Sequence, residues 1–198
     1  MTKKKLPYNQ KRIGNKIATA GEHVVYKYGD NQIIKFPSGP IHYVNPNEAR
    51  TKIVNELSLA NKYLKEFLVN TELRTYKKQG KNKYCIIQDY IIGRPLELKD
   101  MQDGRLKYQF KELIKNNNLM YLNSRYTLEF FGLRGLLLHR FFPRMENVIV
   151  TQENNIEIID FGMISSLNMV SSSPILRWFI QWAVKKQKKL LREKYLVN

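Results

Sequence analysis

A hairpin near the C-terminal third constrains this chain more than any other feature. Asn147-Val148-Ile149-Val150-Thr151 and Ile156-Glu157-Ile158-Ile159-Asp160 are runs rich in β-branched residues, with Glu153-Asn154-Asn155 between them. β-Branched side chains suit a pleated surface, and Asn tolerates the left-handed backbone of a tight turn. The pattern therefore predicts two antiparallel strands joined by a two-residue Asn-Asn turn. Asp160-Phe161-Gly162 follows at once, and Asn147 opens the partner strand 13 residues earlier. Antiparallel pairing brings an amide oxygen and a carboxylate to one mouth. A hard, oxygen-seeking cation such as Mg²⁺ takes that donor set. Taken singly, Asp160 also reads as a turn carboxylate capping its own loop.

The remaining composition restricts the setting. At 198 residues the chain is one domain or two small lobes, and 43% hydrophobic content supports a packed core rather than disorder. A single cysteine, Cys85, excludes an internal disulfide framework and fits a reducing compartment. Its neighbours Tyr84, Ile86 and Ile87 make a buried, inert thiol the expectation. No apolar run is long enough to cross a bilayer, and no apolar segment follows the basic N-terminus, so the expected location is cytoplasmic. The net charge of +17 is concentrated at the ends. Lys3, Lys4, Lys5, Lys11, Arg12 and Lys16 have no acid among them, and residues 185–194 hold five Lys and one Arg against Glu193. Such ends suit an anionic membrane surface, a phosphorylated partner or, less well, nucleic acid, and equally a merely solubilising surface.

Periodicity predicts strands over 17–28 with a turn at Gly21, a turn at Gly29-Asp30-Asn31, and a strand at 32–36. A helix from Asn47 to about Leu68 follows, then strands near 71–77 and 83–90. Residues 96–140 read as mostly helical, with breaks at Asn116-Asn117-Asn118 and Asn123-Ser124. Pro174 opens a last helix, where its missing N–H costs nothing.

The hairpin with Asn147 at one end and Asp160-Phe161-Gly162 at the other resembles the protein-kinase family. In that family an Asn and the DFG Asp hold the metal on ATP phosphates. The resemblance covers roughly residues 17–162 and implies Asn147 and Asp160 as Mg²⁺ ligands. Gln32-Ile33-Ile34-Lys35 matches the third kinase strand, which implies that Lys35 contacts the α- and β-phosphates. Its implied partner is Glu56 in the next helix. Glu48 is the alternative, but it sits in the first turn, where it serves the helix dipole. Residues 85–93 resemble the hinge, implying adenine contacts from the Asp89 carbonyl and the Ile91 N–H, with Gln88 as gatekeeper. An ordinary strand entering a turn accounts for the same residues.

Two departures accompany the resemblance. Aligning Val25 with the valine after the glycine-rich loop puts Ala18, Ala20 and His23 at the usual glycine positions. Only Gly21 remains, so the implied phosphate turn of Ala20, Gly21 and Val25 is less free to approach its ligand. His23 itself reads as a loop side chain. The second departure is chemical. His139-Arg140-Phe141-Phe142 puts Phe142 where the catalytic aspartate belongs, and loss of a general base commonly costs about 10²–10⁴ in rate.

Size, a shortened C-terminal part and a basic, Trp-containing tail are similar to the small bacterial YrbL-type proteins of the PhoP regulatory network. The resemblance thus implies an α+β, two-lobed protein-kinase-like fold with a reduced, mainly helical C-lobe. Its divisions would be a basic segment at 1–16, a five-stranded N-lobe with one helix at 17–92, and the C-lobe at 93–198. The implied function is ATP- and Mg²⁺-dependent phosphoryl transfer to a hydroxyl-bearing acceptor. A pseudokinase and a basic membrane- or nucleic-acid-associated scaffold are the alternatives. The apolar last helix reads either as core cover or as a membrane-interface element.

Overall fold

The computed structural model describes residues 7–20, 23–38, 46–78, 81–137, 144–165 and 174–196. The protein is α+β, with antiparallel sheets and several helices. It divides into two compact units, Met1–Asn55 with Val69–Ile91, and Glu56–Leu68 with Ile92–Asn198.

The first unit is built on strands β1 (Ile13–Ala20), β2 (His23–Tyr28), β3 (Gln32–Pro37), β4 (Thr71–Lys78) and β5 (Lys81–Asp89), in the order β1-β2-β3-β5-β4. The first strand starts at Ile13, four residues before the expected start, and a 3₁₀ turn at Gln10–Arg12 leads into it. Gly29 turns β2 into β3 at φ +67°, a left-handed conformation that favours glycine. Directly paired residues share a face of an antiparallel sheet. One face carries Tyr28, Ile34, Cys85 and Ile87, packed by Tyr8, Ile13, Tyr26, Phe36 and Tyr76. Tyr8 meets Phe36 and Tyr76 edge-on at 5.2 and 5.8 Å, so the segment before β1 covers this face. Burial pushes the Cys85 thiol up to about 11, so it is a packed and unreactive group. The other face carries Val25, Lys35 and Ile86 in one register row.

Helix α1 (Pro46–Tyr63) ends five residues before the predicted Leu68. The chain then turns, and Leu68 bridges Ile158 in parallel, with the Ile158 N–H donating to the Phe67 carbonyl at 2.7 Å. That edge belongs to a sheet of β6 (Gly93–Glu97), β8 (Arg144–Thr151) and β9 (Ile156–Ile158), ordered β6-β8-β9. Residues 93–97, expected to close one part and open a helical stretch, are a strand. Gly93 is required there, because a Cβ would lie 2.6 Å from the Val150 carbonyl oxygen. Arg94 forks onto the buried Asp100 carboxylate with both bonds at 2.6 Å. Burial would raise that carboxyl, but Arg94 and the Glu97 N–H outweigh it and hold it below its ordinary value.

Helix α2 (Gly104–Ser124) is capped by Asp103, whose carboxylate accepts from the Arg105 and Leu106 N–H groups. Its inward stripe is Leu106, Phe110, Leu113, Ile114, Asn117 and Met120, so the predicted break at 116–118 is absent. Tertiary hydrogen bonds account for the continuity. Asn116 donates to Glu66, and Asn117 is buried against a short strand, β7 (Tyr126–Leu128). This strand, unanticipated in the sequence, pairs with β10 (Met163–Ser165). A short helix α3 (Leu133–Leu137) and a long helix α4 (Pro174–Leu190) complete the unit, and α4 continues into a π-helical turn, Leu191–Tyr195.

Candidate functional site

In the first unit, Lys35 occupies the centre of β3 at 8% exposure, flanked in register by Val25 and Ile86. A charged lysine at that depth is costly unless compensated. His23 is not a loop side chain. It lies buried in β2, opposite Pro37, with its Nε2 3.4 Å from the Tyr84 hydroxyl. Ala20 pairs with His23, while Gly21 lies outside the described residues. Gln88, the implied gatekeeper, is buried and donates to the Thr71 hydroxyl at 3.0 Å. Asp89 ends β5 with its carboxylate accepting from Gln32 and Asn70, at 3.2 and 3.1 Å. Those bonds fix the strand end just before Ile91, which is half-buried. Lys35, Val25, Ala20, Asp89 and Ile91 therefore all belong to one sheet unit.

Glu56 sits in α1 at 2% exposure and belongs to the second unit. In that unit the β8–β9 register sets Asn147 opposite Ile159, the residue before Asp160. Val148 faces Ile158, and the Ile159 N–H donates to the Asn147 carbonyl at 3.1 Å. The hairpin turn differs from the expected two-residue form. Thr151 and Asn155 exchange hydrogen bonds around a three-residue loop, Gln152 to Asn154, with Asn154 at φ 60°. Strand β9 ends at Ile158, leaving Asp160 on the loop beyond it. The Asp160 Oδ1 accepts from the Gly162 N–H at 3.1 Å, which fixes the carboxylate in a local turn. Asn147 uses its Nδ2 to donate to the Glu129 carbonyl at 2.6 Å. With the nitrogen so used, its Oδ1 is the side-chain atom left to offer lone pairs. Both residues are half-buried, so the pair is accessible. An amide oxygen and a carboxylate are the donors Mg²⁺ accepts, and its usual retention of several waters makes two protein ligands sufficient.

The residue that sequence reasoning missed is Glu129. It follows β7 directly, its N–H donates to the Gly162 carbonyl at 2.9 Å, and its carbonyl receives Asn147. A Cβ built on Gly162 would lie 3.6 Å from Asp160 Oδ1 and 3.9 Å from Glu129 Oε2. The two carboxylates thus border the same small space that glycine leaves open. Tyr126-Thr127-Leu128 carries a weak strand signal, but three residues are too few for periodicity to reveal it. The Glu146 carboxylate lies against Gly132. Phe142 and the rest of 138–143 lie outside the described residues.

On α4, Ala183, Val184 and Gln187 are buried, whereas Trp178 is 64% exposed. Trp178, Gln181, Trp182, Lys185, Lys186 and Lys189 line a shallow groove of about 290 Å³. The helix therefore serves both as core cover and as an exposed aromatic–basic face. No helix among the described residues is long and apolar enough to cross a membrane.

No family model matches the chain, and no curated protein sequence matches it. Among solved structures it is similar to the apo form of PpkA-294, at 13% identity over 100% of this chain and 69% of that one, with a TM-score of 0.47. It is also similar to a crystal structure of WbdD, at 14% identity over 83% of this chain, with a TM-score of 0.39. The chain corresponds to only 35% of the length of WbdD.

Proposed function

We propose that this protein is a kinase-like phosphotransferase that binds ATP with Mg²⁺ and transfers a phosphoryl group to a hydroxyl-bearing acceptor. What supports this reading is the β8–β9 register, which sets Asn147 opposite Ile159, the residue before Asp160. Phosphoryl transfer is mostly positioning and charge stabilisation, and a bound Mg²⁺ would neutralise the phosphate oxygens. Asn147 and Asp160 would hold that ion. By the kinase pattern, Lys35 would supply the cation for the phosphates, Glu56 would be the counter-charge, and the backbone at Asp89 and Ile91 would make the adenine contacts. The basic, Trp-containing stretch from Pro174 to Lys194 supports the YrbL-type layout within this class.

Titrating the wild type with ATP, with and without Mg²⁺, in a thermal-shift assay tests the reading. At a hundredfold excess over Kd, ligand binding stabilises by about 2.7 kcal/mol, a rise of several degrees in melting temperature. Asp160→Asn should abolish the Mg²⁺-dependent part of the rise while leaving the ligand-free melting temperature unchanged. A wild type that ATP and Mg²⁺ do not stabilise would refute the proposal.

The exposed face of α4 supports a second, compatible reading, adsorption to an anionic phospholipid surface. Trp rings settle at headgroup level, and each lysine near such a surface contributes about 1 kcal/mol. Lys185→Ala combined with Lys189→Ala should weaken sedimentation with phosphatidylserine-containing vesicles about thirtyfold. Equal binding of the wild type to purely zwitterionic vesicles would contradict this reading.

A further inference from the structure

We infer that Glu129 is the general base of the proposed transfer and that Gln187 is the residue that positions it. The inference rests on the phosphotransferase reading above and supplies the carboxylate that Phe142 removes from the catalytic-loop motif.

The backbone around Glu129 is held at four points. Its own N–H donates to Gly162 and its carbonyl accepts from Asn147. The two peptide groups on either side are clamped by one side chain, Gln187 of α4, which is 1% exposed. Its Oε1 accepts from the Phe130 N–H at 3.0 Å, and its Nε2 donates to the Leu128 carbonyl at 2.8 Å. A buried amide with both ends used in this way aligns the intervening residue. β7–β10 pairing adds further restraint, setting Leu128 opposite Met163. The flanking Leu128, Phe130 and Phe131 are fully buried, whereas the Glu129 side chain is partly exposed, with Oε2 facing Gly162 beside Asp160. A carboxylate on so rigid a segment, reachable from solvent and bordering the same space as Asp160, meets the geometric requirement for a base.

In the transfer, the acceptor oxygen bonds to the γ-phosphorus as the bond from that phosphorus to the β–γ bridging oxygen breaks and ADP leaves. Glu129 takes the hydroxyl proton and later gives it to solvent. No oxidant or further reactant is needed.

ADP formation from ATP, with water or the protein's own hydroxyls as acceptor, measures the step in wild type, Glu129→Gln, Glu129→Asp and Gln187→Leu. Glu129→Gln should retain the ATP–Mg²⁺ thermal shift yet lose about 10²–10⁴ in rate. Glu129→Asp should restore part of the rate. Gln187→Leu should lower the rate while keeping the ATP–Mg²⁺ thermal shift, and added to Glu129→Gln it should cost nothing further, as a residue acting through Glu129 requires. A Glu129→Gln enzyme within threefold of wild type would overturn the assignment. So would a wild type that binds ATP–Mg²⁺ but forms no ADP, although the nucleotide reading would survive. Absence of the thermal shift in the wild type would instead defeat the reading on which this one rests.

Discussion

Phe110→Ala should lower the free energy of unfolding by about 3–5 kcal/mol, the usual cost of removing a fully buried aromatic ring. Phe110 is 0% exposed and lies at the centre of the second unit's core. Its ring meets Phe130 edge-on at 6.3 Å and Tyr195 at 5.7 Å, and Tyr195 meets Phe131 at 5.8 Å. Three separate segments therefore share one aromatic cluster: α2, the residues after β7, and the turn that ends α4. Tyr195 is the final member, buried deeply enough that its phenol is held well above its ordinary pKa, chiefly by desolvation. Aromatic pairs of this geometry add about 0.5–1.5 kcal/mol beyond the area they bury. Because domains are stable by only about 5–15 kcal/mol, a loss of this size removes a large share of the total. Urea denaturation followed by circular dichroism measures the loss. A shift under 1 kcal/mol would mean that the ring is not packed as described. Phe110→Leu keeps most of the volume and should cost much less.

Asn117→Ala is expected to cost about 2–4 kcal/mol, because it strands two buried polar groups at once. The Asn117 Oδ1 accepts from the Leu128 N–H at 2.8 Å, and its Nδ2 donates to the Thr127 hydroxyl at 3.1 Å. Asn117 and Thr127 are 3% and 1% exposed, so water does not readily replace these bonds. Thr127→Val removes one of the two groups and should cost less. The double variant should cost less than the sum of the singles, with a coupling of about 0.5–3 kcal/mol. Strict additivity would exclude a direct bond. The functional effect follows from position. Asn117 fixes β7 immediately before Glu129, so ADP formation should fall in Asn117→Ala even at temperatures where the protein remains folded.

The first sheet was readable because its strands alternate and its turns are marked. Gly29-Asp30-Asn31 forms the turn expected, and β2, β3, β4 and β5 lie within a few residues of their expected spans. The β8–β9 pairing was readable for the same reason, since a hairpin is local and its β-branched runs permit few registers. What escaped were polar residues used as internal fasteners. Asn117 and Gln187 resemble solvent-facing positions in their helices, and Asn116-Asn117-Asn118 resembles a break, because Asn usually competes with helical hydrogen bonding. Their partners lie on a three-residue strand that exists only through its pairing with β10. His23 escaped likewise: in sequence it adjoins Gly21 and Glu22, and only the packing of Tyr84 across the sheet shows it to be interior.

From its own residue order, then, the chain specified an antiparallel α+β architecture, a packed inert thiol, basic ends and the hairpin that begins at Asn147 and runs to Asp160. All of these follow from periodicities and turn chemistry acting within a dozen or so residues. The seat of Glu129 was decided by tertiary structure alone. It depends on Gly162, Asn147 and Gln187, and Gln187 lies 58 residues away along the chain. Hydrogen bonds made at such separation leave no trace in local patterning, because they are chosen by which surfaces meet in the folded core.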